Sequence, residues 1–254
     1  MRSILMAFSL FSRIPVPGLP WNEKNQKYLM AAFPWVGLCL GLTLWLWQML
    51  CYRLNFSAFL WGVGLALLPL WFTGGIHMDG FADTVDALSS HASPEEKARI
   101  LKDPHAGAFA VSAVCCYCLA YAALAAQLPI EPVVALRLAL VHGLSRTGSG
   151  LCSLLFPSAG QKGMLSGFRR SAQKRGSLVL LALWLVLLSV LCLWTLGGAG
   201  LALPLLCAAC AWRLWRLVNR EFTGVSGDLC GYYLQLAELA MVTALAIIEG
   251  SGIG

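Results

Sequence analysis

Three aspartates carry the most pointed chemistry in this chain. Asp79, Asp83 and Asp86 fall at i, i+4 and i+7 of the run TGGIHMDGFADTVDAL (residues 73–88), so a helix there presents all three on one face. No Lys or Arg lies between Asp79 and Leu88 to neutralise them. An acidic helix face is ordinarily just solvated, but this one adjoins an apolar run, where unpaired charge is expensive. A divalent cation relieves the repulsion, and carboxylate oxygens with no thiolate beside them select Mg²⁺ or Mn²⁺ over zinc. His77, just upstream, is placed to orient a ligand, to act as a base or merely to cap the preceding apolar run. Gly74 and Gly75 free the backbone to turn where that run ends.

Other polar groups interrupt apolar sequence. Lys102 and Asp103 stand in ARILKDPHAG and by charge alone are a solvated turn. His142 and Arg146 share a helix face inside an apolar stretch, where an ionisable side chain is by default paired or functional. Arg146 either snorkels to the membrane surface or aims its guanidinium at an anion that the metal also holds. The loop at 161–175 carries Lys162, Arg169, Arg170, Lys174 and Arg175, whose first use is topology and attraction to anionic lipid. Asn219 to Asp228 reads NREFTGVSGD; Gly227 and its neighbours open a helix and can offer N–H groups to an anion, and Asp228 is expected to cap that helix.

The elements that hold these residues are membrane helices. Of 254 residues, 59% are hydrophobic and 12% charged, with mean hydropathy +0.73. Soluble domains carry about 25% charged residues, so this is an integral membrane protein. The net charge of +6 is explained by loop placement and not by nucleic acid. The ten cysteines lie mostly in apolar runs and are expected to be packing residues. Residues 1–28 contain an apolar run stopped by Arg13 and prolines, too short to span, and are expected to form a short helix on the membrane surface.

About seven apolar stretches of spanning length follow, near 29–50, 56–74, 107–127, 131–157, 177–196, 199–218 and 230–249. With the amino terminus in the cytoplasm, the inner side receives nearly all loop Lys and Arg, Arg213, Arg216 and Arg220 included, and the outer side only Arg53. That arrangement puts every polar cluster at the cytoplasmic face. The expectation is a single all-α, polytopic membrane bundle over residues 1–254, with no repeat and no second domain. Oligomeric state is left open, a homo-oligomer included.

The string GGIHMDGFADTVD closely resembles the GG-x-H-x-DG-x-ADT-x-D motif of the cobalamin synthase family, the adenosylcobinamide-GDP ribazoletransferases. The opening RIPVP, Lys102-Asp103, Ser145-Arg146 and GVSGDLCG, followed by Glu238, resemble the same family, so the likeness covers most of the chain. It implies a bacterial inner-membrane enzyme that joins adenosylcobinamide-GDP to α-ribazole or its 5′-phosphate and releases GMP. It further implies Mg²⁺ on Asp79, Asp83 and Asp86, Lys102 on a phosphate oxygen, and Asp103 on a metal or a substrate hydroxyl. Asn219, Gly227 and Asp228 would help bind substrate, with His77 or an aspartate as base. Pro104, His105 and Ala108 depart from the family's usual Ser, Arg and Gly. The motif more loosely resembles the CDP-alcohol phosphotransferases, although the Arg expected shortly after Asp-Gly is absent. A cation transporter using the aspartates is a third class, disfavoured by outer loops nearly bare of polar groups.

Overall fold

A computed structural model describes residues 1–159 and 164–251; Lys162 and residues 252–254 lie outside the described residues. The helices in order are α1 (Arg2–Phe11), α2 (Glu23–Gln26), α3 (Leu29–Leu54), α4 (Ala58–Thr73), α5 (Ile76–Ser89) and α6 (Pro94–Ile100). They are followed by α7 (Ala108–Ala125), α8 (Pro132–Leu155), α9 (Met164–Ser171) and α10 (Lys174–Leu196). A 3₁₀ turn (Gly197–Leu201) then leads into α11 (Ala202–Glu221) and α12 (Gly227–Ser251). The chain is an all-α, multi-pass membrane bundle, as its composition requires.

Each expected apolar stretch is helical, but the helices differ in their fitness to cross a bilayer. Among the described residues α3, α7, the continuous stretch Lys174–Glu221 and α12 qualify by length and composition, and α4 with α5 passes only when the bent pair is counted together. At 48 residues, Lys174–Glu221 would measure about 70 Å if straight, more than twice a hydrocarbon core, and the 3₁₀ turn divides it into α10 and α11. α4 alone has 16 residues. α8 is long enough at 24 residues but carries Arg137, His142 and Arg146, which its packing buries. The helix α1, about 15 Å long, is too short to span and packs its Met6 and Ala7 against α3. All ten cysteines are free.

α3 and α8 form the central pair, burying Val36, Leu40 and Leu44 on one side and Leu138, Val141 and Leu144 on the other. Lipid is as apolar as these side chains, so close packing and internal polar pairing hold the helices together here. Two arginine–glutamate pairs join α8 to α12 among the described residues: Arg137 with Glu249, and Arg146 with Glu238. The order of partners is reversed along the two helices, so α8 and α12 run antiparallel.

α4 and α5 meet at 98°. Gly74 and Gly75 make this turn, with φ of 69° and 81°, in succession in the left-handed region that side chains disfavour. A backbone bond from the Arg13 N–H to the Phe72 carbonyl, 2.8 Å, straps the RIPVP segment over the end of α4. If α4 runs along the membrane normal, α5 lies across the end of the bundle.

Candidate functional site

The acidic helix α5 is fixed by its two neighbours. Against α12 the crossing is tight: a Cβ added at Gly80 would lie 2.7 Å from the Asp228 Cα, and one at Gly231 would lie 2.8 Å from the His77 carbonyl oxygen. Only glycines permit that approach, and it brings the first turn of α12 alongside the face of α5 that carries the aspartates. Against α7 the tie is Asp86, whose carboxylate accepts the Ala110 N–H at 2.8 Å and the Gly107 N–H. Asp86 therefore caps α7, satisfying donors that a helix start leaves free.

Asp79 is exposed, Asp83 and Asp228 are half-buried, and the carboxylates crowd one another. Burial together with the negative charges of Asp79, Asp228 and Asp86 pushes the Asp83 carboxyl from its ordinary 3.8 up to about 6. Asp228 was expected to cap α12, but the cap is Ser226, whose Oγ accepts the Leu229 N–H at 3.2 Å and donates to Asp228 at 3.3 Å. That division of labour leaves Asp228 facing α5. Gly227 opens α12 with clear space around it. Among the described residues no three His, Cys, Asp or Glu side chains are gathered, as they stand, into a metal site.

Several other candidates sit elsewhere. His77 is buried between Phe11 and Phe33, its ring 6.0 and 5.5 Å from theirs, and its Nε2 has no partner. Arg146 is 1% exposed and neither snorkels nor reaches solvent. Its guanidinium meets Glu238 and bonds Ser145 at 3.0 Å, while Glu238 also accepts from Ser145 at 2.8 Å and lies 2.9 Å from His142. Lys102 is exposed on the loop returning to Gly107, with no ion pair among the described residues. Asp103 is tied to His105, accepting its N–H at 3.0 Å and meeting its Nδ1 at 2.7 Å, and these bonds hold its carboxyl below the usual range. Asn219 donates to the Trp215 carbonyl of its own helix at 2.7 Å, on the exposed side of α11.

Two relationships escaped the sequence reading. Ionisable residues within spans must pair, so Arg137 and Arg146 called for acidic partners, and Glu249 and Glu238 were the candidates on offer. Lys97, nearly buried, pairs with Glu221 and ties α6 to the end of α11; nothing local signals that bond.

The family profile described as Cobalamin-5-phosphate synthase matches residues 3–246. Among curated proteins the chain is similar to the adenosylcobinamide-GDP ribazoletransferase of Lachnoclostridium phytofermentans, 34% identical over 98% of this chain and 95% of that one. Proteins of the same name from Clostridium perfringens (31% identical, 97% of this chain, 98% of that one) and Desulfitobacterium hafniense (33%, 94% of each) are also similar. No solved structure matches. With a profile match over nearly its whole length and relatives this similar end to end, the chain belongs to the cobalamin-5-phosphate synthase family of membrane enzymes.

Proposed function

We propose that this protein joins adenosylcobinamide-GDP to α-ribazole, or to α-ribazole 5′-phosphate, giving adenosylcobalamin or its 5′-phosphate and GMP. A ribose ring hydroxyl of the ribazole, one that the 5′-phosphate leaves free, forms a bond through its oxygen to the phosphorus attached to the cobinamide, the bond from that phosphorus to the bridging oxygen breaks so that GMP leaves, and the hydroxyl proton passes to a base. The observation that carries this reading is the match to this family over nearly the full length of the chain; in support, Gly80 brings α12 so close to α5 that the charges of Asp79 and Asp228 both act on Asp83.

The donor set suits a hard divalent cation. Crowded carboxylates that hold one another's protons have excess negative charge to neutralise, and their oxygens are the ligands Mg²⁺ prefers. Asp79, Asp83 and Asp228 would hold it, with Asp86 behind them fixing α5 to α7. When bound, Mg²⁺ would offset charge on the diphosphate and on the departing GMP.

The chain's own contribution is positioning. Displacement at a diphosphate depends on placing nucleophile and leaving group in line and on meeting the growing charge. Lys102, exposed beside the Gly107 turn that Asp86 holds, supplies a cation to a phosphate oxygen. An aspartate of the exposed group is better placed than His77 to take the hydroxyl proton, because His77 is enclosed by Phe11 and Phe33. Arg146, committed to Glu238, acts by holding α8 on α12 beneath the site. The site is assigned to the cytoplasmic face of a bacterial inner membrane, in keeping with the distribution of basic residues.

The test is GMP release by purified protein in detergent, given both organic substrates and Mg²⁺, beside Asp79→Asn and an EDTA control. Release that requires both substrates and metal, and that collapses in Asp79→Asn, is expected; no release from folded protein would overturn the reading.

A further inference from the structure

The outward face of α11 changes character along its length. Leu205, 65% exposed, is followed on the same side by Ala209, Trp212, Arg213, Arg216 and Arg220, with Trp215 exposed beside them. A shallow, open groove of about 490 Å³ runs along the surface of this one helix, between the side chains of Ala209, Cys210, Trp212 and Leu217 and the three arginines. Arg216 lies over the Trp212 ring, 4.7 Å from its centre. None of the three arginines has an ion pair among the described residues, and the one carboxylate in the groove, Glu221, is engaged by Lys97.

Arg213 stands eight residues before the end of α11, about 12 Å along the helix, between Trp212 and Trp215 and so at the depth of the tryptophans. Guanidiniums on a lipid-facing surface need a counter-charge; among the described residues the protein supplies none to Arg213 or Arg216, and Arg220 has only the Glu221 carboxylate that Lys97 already holds. The missing anion must come from the surroundings. Its shape is set by the groove: arginines suited to bidentate contact with phosphate at one end, tryptophans of the kind that settle at headgroup level, then an exposed apolar track.

We propose that this groove binds an anionic phospholipid, its phosphodiester on Arg213, Arg216 and Arg220 and an acyl chain along Ala209 and Leu205. The site lies on the outside of α11, apart from the crossing of α5 and α12, and the proposal stands independently of the transferase reaction. A soluble nucleotide or free phosphate would satisfy the arginines but leave the apolar track in place, which is what separates the sources experimentally.

The full chain is reconstituted in nanodiscs of phosphatidylcholine with and without phosphatidylglycerol, released, and weighed by native mass spectrometry. The wild type is expected to retain phosphatidylglycerol, and Arg213→Gln/Arg216→Gln/Arg220→Gln to retain about tenfold less. A charge-matched control, Lys24→Gln/Lys27→Gln/Arg175→Gln, is expected to keep it. Glycerol phosphate, which has the anion without the chain, is expected not to displace it. Equal loss in both triple variants, no preference by the wild type, or displacement by glycerol phosphate would each overturn the proposal. Should the glutamine variant fail to fold, two measurements decide: retention by the corresponding triple Lys variant, and a rise in wild-type melting temperature with phosphatidylglycerol but not phosphatidylcholine.

Discussion

Gly80 of α5 lies so close to Asp228 of α12 that the Cβ it lacks would stand 2.7 Å from the Asp228 Cα. This contact sets the spacing of the acidic group. Gly80→Ala should force the helices apart, at a cost of about 1–3 kcal/mol in stability, with GMP release falling more than tenfold. Thermal unfolding in detergent and the release assay, run on the same preparation, check both halves. Undiminished activity would mean that Asp228 has no part in the chemistry.

The aspartates of α5 should separate by role. Asp86→Ala removes the cap of α7 and should cost about 1 kcal/mol, with partial loss of activity. Asp79→Asn touches no such bond; its melting temperature should hold or rise while activity is lost. If the two variants lose stability and activity in the same proportion, the division is wrong.

Asp83 gives the site a pH dependence of definite sign. Its carboxyl in the folded protein titrates near 6, above the ordinary 3.8, so the metal-free fold holds an extra proton between those values. Its contribution to stability is therefore present at low pH and lost as pH rises towards and through about 6. Mg²⁺ should reverse the effect, and its apparent affinity should weaken on acidification through the same window, as protons compete. Melting curves with and without Mg²⁺, from about pH 3.5 to 7, test this against Asp83→Asn, in which the pH-dependent component should shrink, Asp228, also raised by burial, supplying part of what is left.

Glu238→Gln leaves Arg146 charged among buried groups and should destabilise the protein by about 3–5 kcal/mol. Removing both charges, as Arg146→Met/Glu238→Leu, should cost less than the single change. A double variant as unstable as the single one would show that packing, not charge pairing, governs this part of α8.

The bundle was legible in the sequence because apolar runs of about 20 residues have few other uses. The face shared by Asp79, Asp83 and Asp86 was legible because helical spacing is a local property. What escaped were bonds between distant parts of the chain. Asp86 caps a helix whose bonded N–H groups lie 21 and 24 positions away, and Arg146 finds Glu238 at a separation of 92. Spacing along a single helix carries no record of such partners. Asp228 was expected at the helix cap because Asp and Ser suit that place equally; Ser226, two positions earlier, occupies it. Arg146 invited a substrate role because its buried partner lay on another helix.

The two pairs between α8 and α12 also bear on how the chain is made. Arg137 and Arg146 leave the ribosome with α8, but Glu238 and Glu249 belong to α12, which is synthesised after α9, α10 and α11. For the time it takes to translate some ninety residues, α8 carries its cations without their partners, in or beside the insertion machinery. Its final seating in the bilayer must await α12, so α8 is fixed in place only after three later helices have been made.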